Sequence, residues 1–220
     1  NGCFTSKGKL RIESTSLVDL VVFRRCSGAL HNICIEAAYS VGSYATLVFD
    51  WCEDLNIYRP KIKNGKIIGL CVQNSTNTHV YNGKGEAETS QSWCLISCID
   101  STMSYCKIKN NGSGFYIIGA GYKSGTVQRS EIPEQESLGM AFKHCFADVN
   151  NLGFDINGAV GAELYKCTAT QRWAVTQSSC FQVKQSTNIA EETKRLTQKN
   201  KVIGCLAMQC NRGFNTQNGE

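Results

Sequence analysis

A chain of 220 residues, 42% hydrophobic and 19% charged, is long enough to bury a full core and too apolar for a disordered segment. Its net charge of +5 comes from scattered basic residues; the densest stretch, Lys61, Lys63 and Lys66, reads as a solvated face, so the composition argues against nucleic-acid binding. No apolar run approaches the ~20 residues that cross a bilayer, and the amino-terminal stretch is not signal-like. Two prolines against 20 glycines imply many tight turns between short extended segments rather than long helices.

Thirteen cysteines raise the question of disulfides or zinc. An odd number leaves at least one thiol unpaired within the chain. No Cys-x-x-Cys pair occurs, and Cys94/Cys98 and Cys205/Cys210 lack zinc-ligand spacing, so no metal is expected. The remaining reading treats most of them as buried free thiols that pack as small apolar residues.

In chain order, the first element is a degenerate unit from Cys26 to Ile35. Cys52-Glu-Asp with Lys61-Ile-Lys-Asn64 is then repeated by Cys98-Ile-Asp with Lys107-Ile-Lys-Asn110. A fuller unit follows, in which a cysteine is trailed by seven residues and Gly-Phe: Cys106 to Gly114-Phe115, Cys145 to Gly153-Phe154, and Cys205 to Gly213-Phe214. Cys167 reaches Phe181 through a five-residue bulge, with Cys180 in the glycine place. Asparagines fall between the landmarks, at 110 and 111, 150 and 151, and 211, where bends that tolerate left-handed backbone are expected. The glycine is expected to let the chain re-enter the strand without strain.

The shortest repeat, Cys145 to Cys167, is 22 residues. Leucine-rich repeats share that length, but their leucine pattern is missing. The local period is two: Cys145, Ala147 and Val149 alternate with Phe146 and Asp148, and Phe154 and Ile156 with Asp155 and Asn157. Strands recurring once per coil stack in parallel on their equivalents, which predicts an all-β parallel β-helix with Cys106, Cys145, Cys167 and Cys205 in one inward column and the phenylalanines in another. Residues 1–220 read as a single segment of such a solenoid, part of a longer chain. Polar insertions are expected on one side, at 74–92, 119–138 and 185–200.

These Cys-x7-Gly-Phe coils with Asn-bearing bends resemble the pectate-lyase-like right-handed β-helix superfamily, and within it bacteriophage tailspikes. The resemblance implies a right-handed solenoid and a homotrimer that binds, and often cleaves, a bacterial capsule or lipopolysaccharide beside other phage tail proteins. It implies no cofactor, and assembly in the bacterial cytoplasm with reduced cysteines. The polygalacturonase signatures Asn-Thr-Asp, His-Gly and Arg-Ile-Lys are missing, so no catalytic residue carries over. A glycan-binding tail-fibre segment without activity, or a bacterial polysaccharide lyase or epimerase, are the alternatives.

Glycoside hydrolysis needs two carboxyl groups ~5–9.5 Å apart. Strand alternation points Asp148 and Asp155 outward on either side of one bend, and Glu131 and Glu134 lie in the preceding insertion; these four are the candidate acids. Sugar binding favours flat rings beside hydrogen-bonding side chains. Tyr116 occupies the outward place that Asp155, Gln182 and Asn215 hold in other coils, and is expected to face solvent above Asp155. Tyr122, Arg172, Trp173 and Lys184 complete the candidate groove. Asp54 and Asp100, in equivalent places, read as turn residues, and His144 beside Cys145 cannot share its face.

Overall fold

The computed structural model describes residues 4–5, 10–12, 21–37, 45–63, 68–86, 92–109, 112–119, 138–171, 178–184 and 199–217. Within them the chain winds as a right-handed parallel β-helix of three eight-stranded sheets, designated A, B and C. One coil illustrates all of them: Ala141–Lys143 lies in sheet A, Phe146–Val149 in sheet B and Leu152–Asn157 in sheet C, after which Glu163–Tyr165 begins the next coil in sheet A. Each strand pairs in parallel with its equivalents above and below, so side chains stack in columns along the axis.

The inward columns fill the tube. On sheet C, Phe115, Phe154, Phe181 and Phe214 are in register and stack nearly flat, with centroids 5.1, 5.2 and 4.9 Å apart. At the corner between sheets A and B the thiols of Cys106, Cys145, Cys167 and Cys205 follow one another, as the 22-residue repeat predicts. Each donates to a backbone carbonyl of the coil below: Cys106 to Val80, Cys145 to Met103, Cys167 to Phe142 and Cys205 to Leu164, at 3.3–3.8 Å. A thiol suits this place because it is small and apolar yet satisfies a carbonyl. A second column, Cys26, Cys52, Ser75 and Cys98, occupies the corner between sheets C and A. Ile35 belongs to sheet B beside Ile62, so Cys26 to Ile35 is not a copy of the Cys-x7-Gly-Phe unit; Ile33 holds the place of Cys106 in that coil.

The expected insertion at 74–92 is corrected by the structure. His79–Tyr81 and Lys84–Glu86 are ordinary strands of sheets A and B, in register with Asn56 and Thr102 and with Lys61 and Lys107. The coil lacks the repeat's landmarks because its core is filled differently. Gly83 and Gly85 stand where other coils have Cys106 and Ile108, and a Cβ on Gly83 would lie 2.5 Å from the ring of Trp93. The fully buried indole occupies the volume that two side chains fill elsewhere. The other two insertions fall between described strands: 120–137 follows Phe115–Ile118, and 185–198 follows Ser179–Lys184, both where sheet C leads to sheet A.

Two turn assignments also change. Neither Asn150, Asn151 nor Asn211 has positive φ, and Asn110 and Asn111 lie outside the described residues; the left-handed residues are others, Gln209 beside Asn211 among them, as are Asp54 and Asp100, which take the turn role read from their equivalence. Gly114 and Gly153 do not need glycine for φ either. A Cβ there would lie 2.2 Å from the Gly153 carbonyl oxygen and 2.5 Å from that of Cys180, respectively. Crowding between stacked backbones is the reason for the motif.

Among the described residues ten cysteines are free, and Cys180 and Cys210 form a disulfide between neighbouring coils. Burial pushes the Cys98 thiol up to about 12 and Cys145 well above its ordinary value. In native protein at pH 7–8 a thiol reagent should therefore modify Cys26 and Cys34, both half-buried, at least about 100-fold faster than Cys98 or Cys145. Peptide mapping of partially labelled protein reads this out, and rapid labelling of the inner column would contradict it.

Candidate functional site

Outward positions of sheet C form two rows. The first runs Val22, Val48, Cys71, Cys94, Tyr116, Asp155, Gln182, Asn215 through successive register pairs, and the second Arg24, Asp50, Gln73, Ile96, Ile118, Asn157, Lys184. The expected stack of Tyr116, Asp155, Gln182 and Asn215 is therefore in register. Along the axis the face changes chemistry. Val48, Cys71, Cys94, Ile96 and Ile118 form a buried apolar cluster with Tyr116 against it. Beyond Tyr116 every outward residue is polar.

Asp155 departs from expectation. It points outward but is fully buried, and Tyr116 is half-buried rather than open to solvent. Neither carboxylate oxygen of Asp155 has a hydrogen-bond partner in good geometry; its contact is an ion pair, Lys184 Nζ to Oδ2 at 3.1 Å. Two residues on, the side-chain oxygen of buried Asn157 is likewise unpartnered. Burial raises the Asp155 pKa, and the nearby Lys184 ammonium only partly opposes that. Asp50, four coils away in the second row, shows the contrasting case. It too is buried, yet Arg24 Nε and Asn74 Nδ2 donate to its two oxygens at 2.9 and 3.0 Å. Asp50 is a satisfied structural carboxylate. Asp155 is a charge held out of water with one partner.

Lys184 lies diagonal to Asp155, one coil away and in the second row. Its side chain is 29% exposed, so it carries the charge of the buried pair to the surface. Gln182 and Asn215 are half-exposed beside it. Asp148 does not join this group: it lies on sheet B, between Lys109 and Thr170. Glu131, Glu134, Tyr122, Arg172 and Trp173 lie outside the described residues. His144 and Cys145 diverge as expected, the imidazole stacking on Tyr105 and the thiol turning inward. Asn157 was missed by the sequence reading. Its signal was available, since it alternates with Ile156 on the face of Asp155.

The fold and this face define a parallel β-helix with a polar outward patch at one end of a buried apolar strip. No family model and no curated protein matches the chain. Among solved structures it is similar to the catalytic domain of a GH87 alpha-1,3-glucanase in complex with tetrasaccharides, at 9% identity and a TM-score of 0.21, covering 99% of this chain. The chain spans 63% of that protein's length.

Proposed function

We propose that this chain is a glycan-binding β-helix whose saccharide site is the polar end of sheet C, with Tyr116, Gln182, Lys184 and Asn215 as contact residues. The carrying observation is the buried Asp155–Lys184 pair. An aspartate without hydrogen bonds contributes little to the fold, but it fixes a half-exposed ammonium beside two side chains that donate and accept hydrogen bonds, next to a tyrosine ring. That combination suits a hydroxyl-rich ligand. Asp155 acts here as a positioning residue.

Cleavage is the second reading, favoured by the raised pKa of Asp155, a property that lets a general acid keep its proton nearer neutral pH. The carboxyl group would act on a sugar only in a conformation that uncovers it, with Glu131 or Glu134 as candidates for the second carboxyl group. The finer assignment, a homotrimeric phage tailspike that meets bacterial capsule or lipopolysaccharide, rests on the sequence resemblance.

A panel of capsular polysaccharides and lipopolysaccharides tests this by binding and by sizing of the polymer after incubation. Binding to at least one polymer is expected, weakened about tenfold or more by Tyr116→Ala or Gln182→Ala. No binding across the panel would sink the proposal. Shortened products separate cleavage from binding alone, and a new unsaturated-sugar absorbance separates a lyase from a hydrolase.

A further inference from the structure

The corner between sheets A and B carries a second surface, on a different part of the solenoid from the polar end of sheet C. Lys61, Lys84 and Lys107 are direct register partners in three successive coils, all exposed. Strand spacing places their backbones about 4.8 Å apart. Like charges directly opposite one another destabilise a sheet. The same sheet shows how the sequence avoids this two residues further on, where the outward row alternates in sign: Glu36, Lys63, Glu86, Lys109, Asp148. That row carries a net −1, while its neighbour keeps three positive charges with no acidic residue among them, the Lys107 ammonium lying over the Phe146 ring at 4.7 Å. Among the described residues none of these three lysines makes an ion pair.

The turn leading into this row adds a second retained cost. Its left-handed position is held by Asn32, Arg59, Asn82, Tyr105, His144, Lys166 and Gly204 in successive coils. Asparagine and glycine suit that backbone, but Arg59, Tyr105 and Lys166 at φ 53°, 56° and 49° do not. From His31–Cys34 to Ile203–Leu206, no coil places an acidic residue at this corner.

Rings accompany the cations at the end of sheet A. His31 stacks on Tyr58 at 4.7 Å and Tyr58 on Tyr81 at 5.2 Å, while Tyr105 stacks on His144 at 4.8 Å. Stacking covers at least one face of each of these rings. Nucleobases need free faces for stacking; hydroxyls and carboxylates need hydrogen-bonding rims and fixed positive charge. We infer that the A–B corner is a binding strip for an acidic polysaccharide, running along the axis with Lys61, Lys84 and Lys107 meeting its carboxylates and the tyrosine and histidine rims its hydroxyls.

The test uses the whole chain and polygalacturonate as probe, in affinity electrophoresis at low and at 0.3 M salt, with dextran as the neutral comparison and an oligo-dT strand as the nucleic-acid comparison. Retardation by polygalacturonate is expected, relieved by salt, with none by dextran. K61E/K84E/K107E should lower affinity at least tenfold, and K61Q/K84Q/K107Q, which introduces no new repulsion, should also lower it; both should keep the wild-type circular dichroism. Tyr116→Ala should leave this binding unchanged, which separates the strip from the sheet C site. Equal retardation of wild type and the Gln variant, no retardation at low salt, or tighter binding of oligo-dT would each overturn the inference.

Discussion

Gly153→Ala is expected to destabilise the protein by about 3 kcal/mol or more, whereas Gly213→Ala, at the same place in the same motif, should change stability by less than about 0.5 kcal/mol. The difference lies in what a methyl group would meet. At Gly153 it would fall 2.5 Å from the carbonyl oxygen of Cys180 and 2.6 Å from the Ala169 Cβ. The first of these is backbone held in the ladder between Leu152–Asn157 and Ser179–Lys184, so it cannot turn away. At Gly213 the nearest atom is the Ala207 Cβ at 3.6 Å, an ordinary contact. Gly114→Ala should behave like Gly153→Ala, its nearest atom being the Gly153 oxygen at 2.2 Å. Phe154→Ala, which removes a fully buried ring stacked on both sides, sets the scale at about 3–5 kcal/mol. Chemical denaturation of the four variants checks the order; equal effects at 153 and 213 would refute crowding as the cause.

Lys184→Met is expected to cost about 3–5 kcal/mol at pH 7, because it leaves a carboxylate buried with no counter-charge. The sign of its pH dependence follows from Asp155. A carboxyl group whose pKa is higher folded than unfolded binds its proton more tightly in the folded state, so ionising it lowers stability. That loss is absent below about pH 3.8, the ordinary value, and grows as pH rises through the window up to the folded-state value. Without Lys184 the folded-state value rises further and the window widens. The deficit of Lys184→Met relative to wild type should therefore shrink as pH falls and vanish near pH 3.8. Denaturation midpoints between pH 3 and 8 measure it, and a deficit of constant size would mean that Lys184 matters for packing instead.

The columns of the core were legible because identical residues recur where coils are regular: three Cys-x7-Gly-Phe units sufficed to place the thiols and the rings. The coil from Asn74 to Glu86 was not, since Gly83, Gly85 and Trp93 exchange side-chain volume between strands, and the resulting coil shares no landmark with its neighbours. Alternation correctly turned Asp155, Gln182 and Asn215 to the outer face and set them beside Tyr116. It could not show that Val48, Cys71, Cys94 and Asp155 on the outer face of sheet C are themselves buried, because period two tells inside from outside the tube but not how exposed the outside is. The same limit hid the contrast between Asp50 and Asp155, which depends on the hydrogen-bond partners each one finds. The lysine stack at 61, 84 and 107 was legible only in part: Lys61 and Lys107 recur in matching Lys-Ile-Lys units, but Lys84 lies in the coil read as an insertion. Lys84 joins the column once its own coil closes between them.

The account turns on Asp155 being kept for recognition at the fold's expense. The most direct measurement is the stability of Asp155→Asn against wild type at pH 7, with polysaccharide binding read on the same samples. Removing the buried charge, while Lys184 stays hydrated, should leave the variant as stable as wild type or about 1–2 kcal/mol more so, and binding at the sheet C site should fall at least tenfold. A variant that is less stable by 2 kcal/mol or more, or that binds as tightly as wild type, would show that Asp155 serves the structure and would contradict the account.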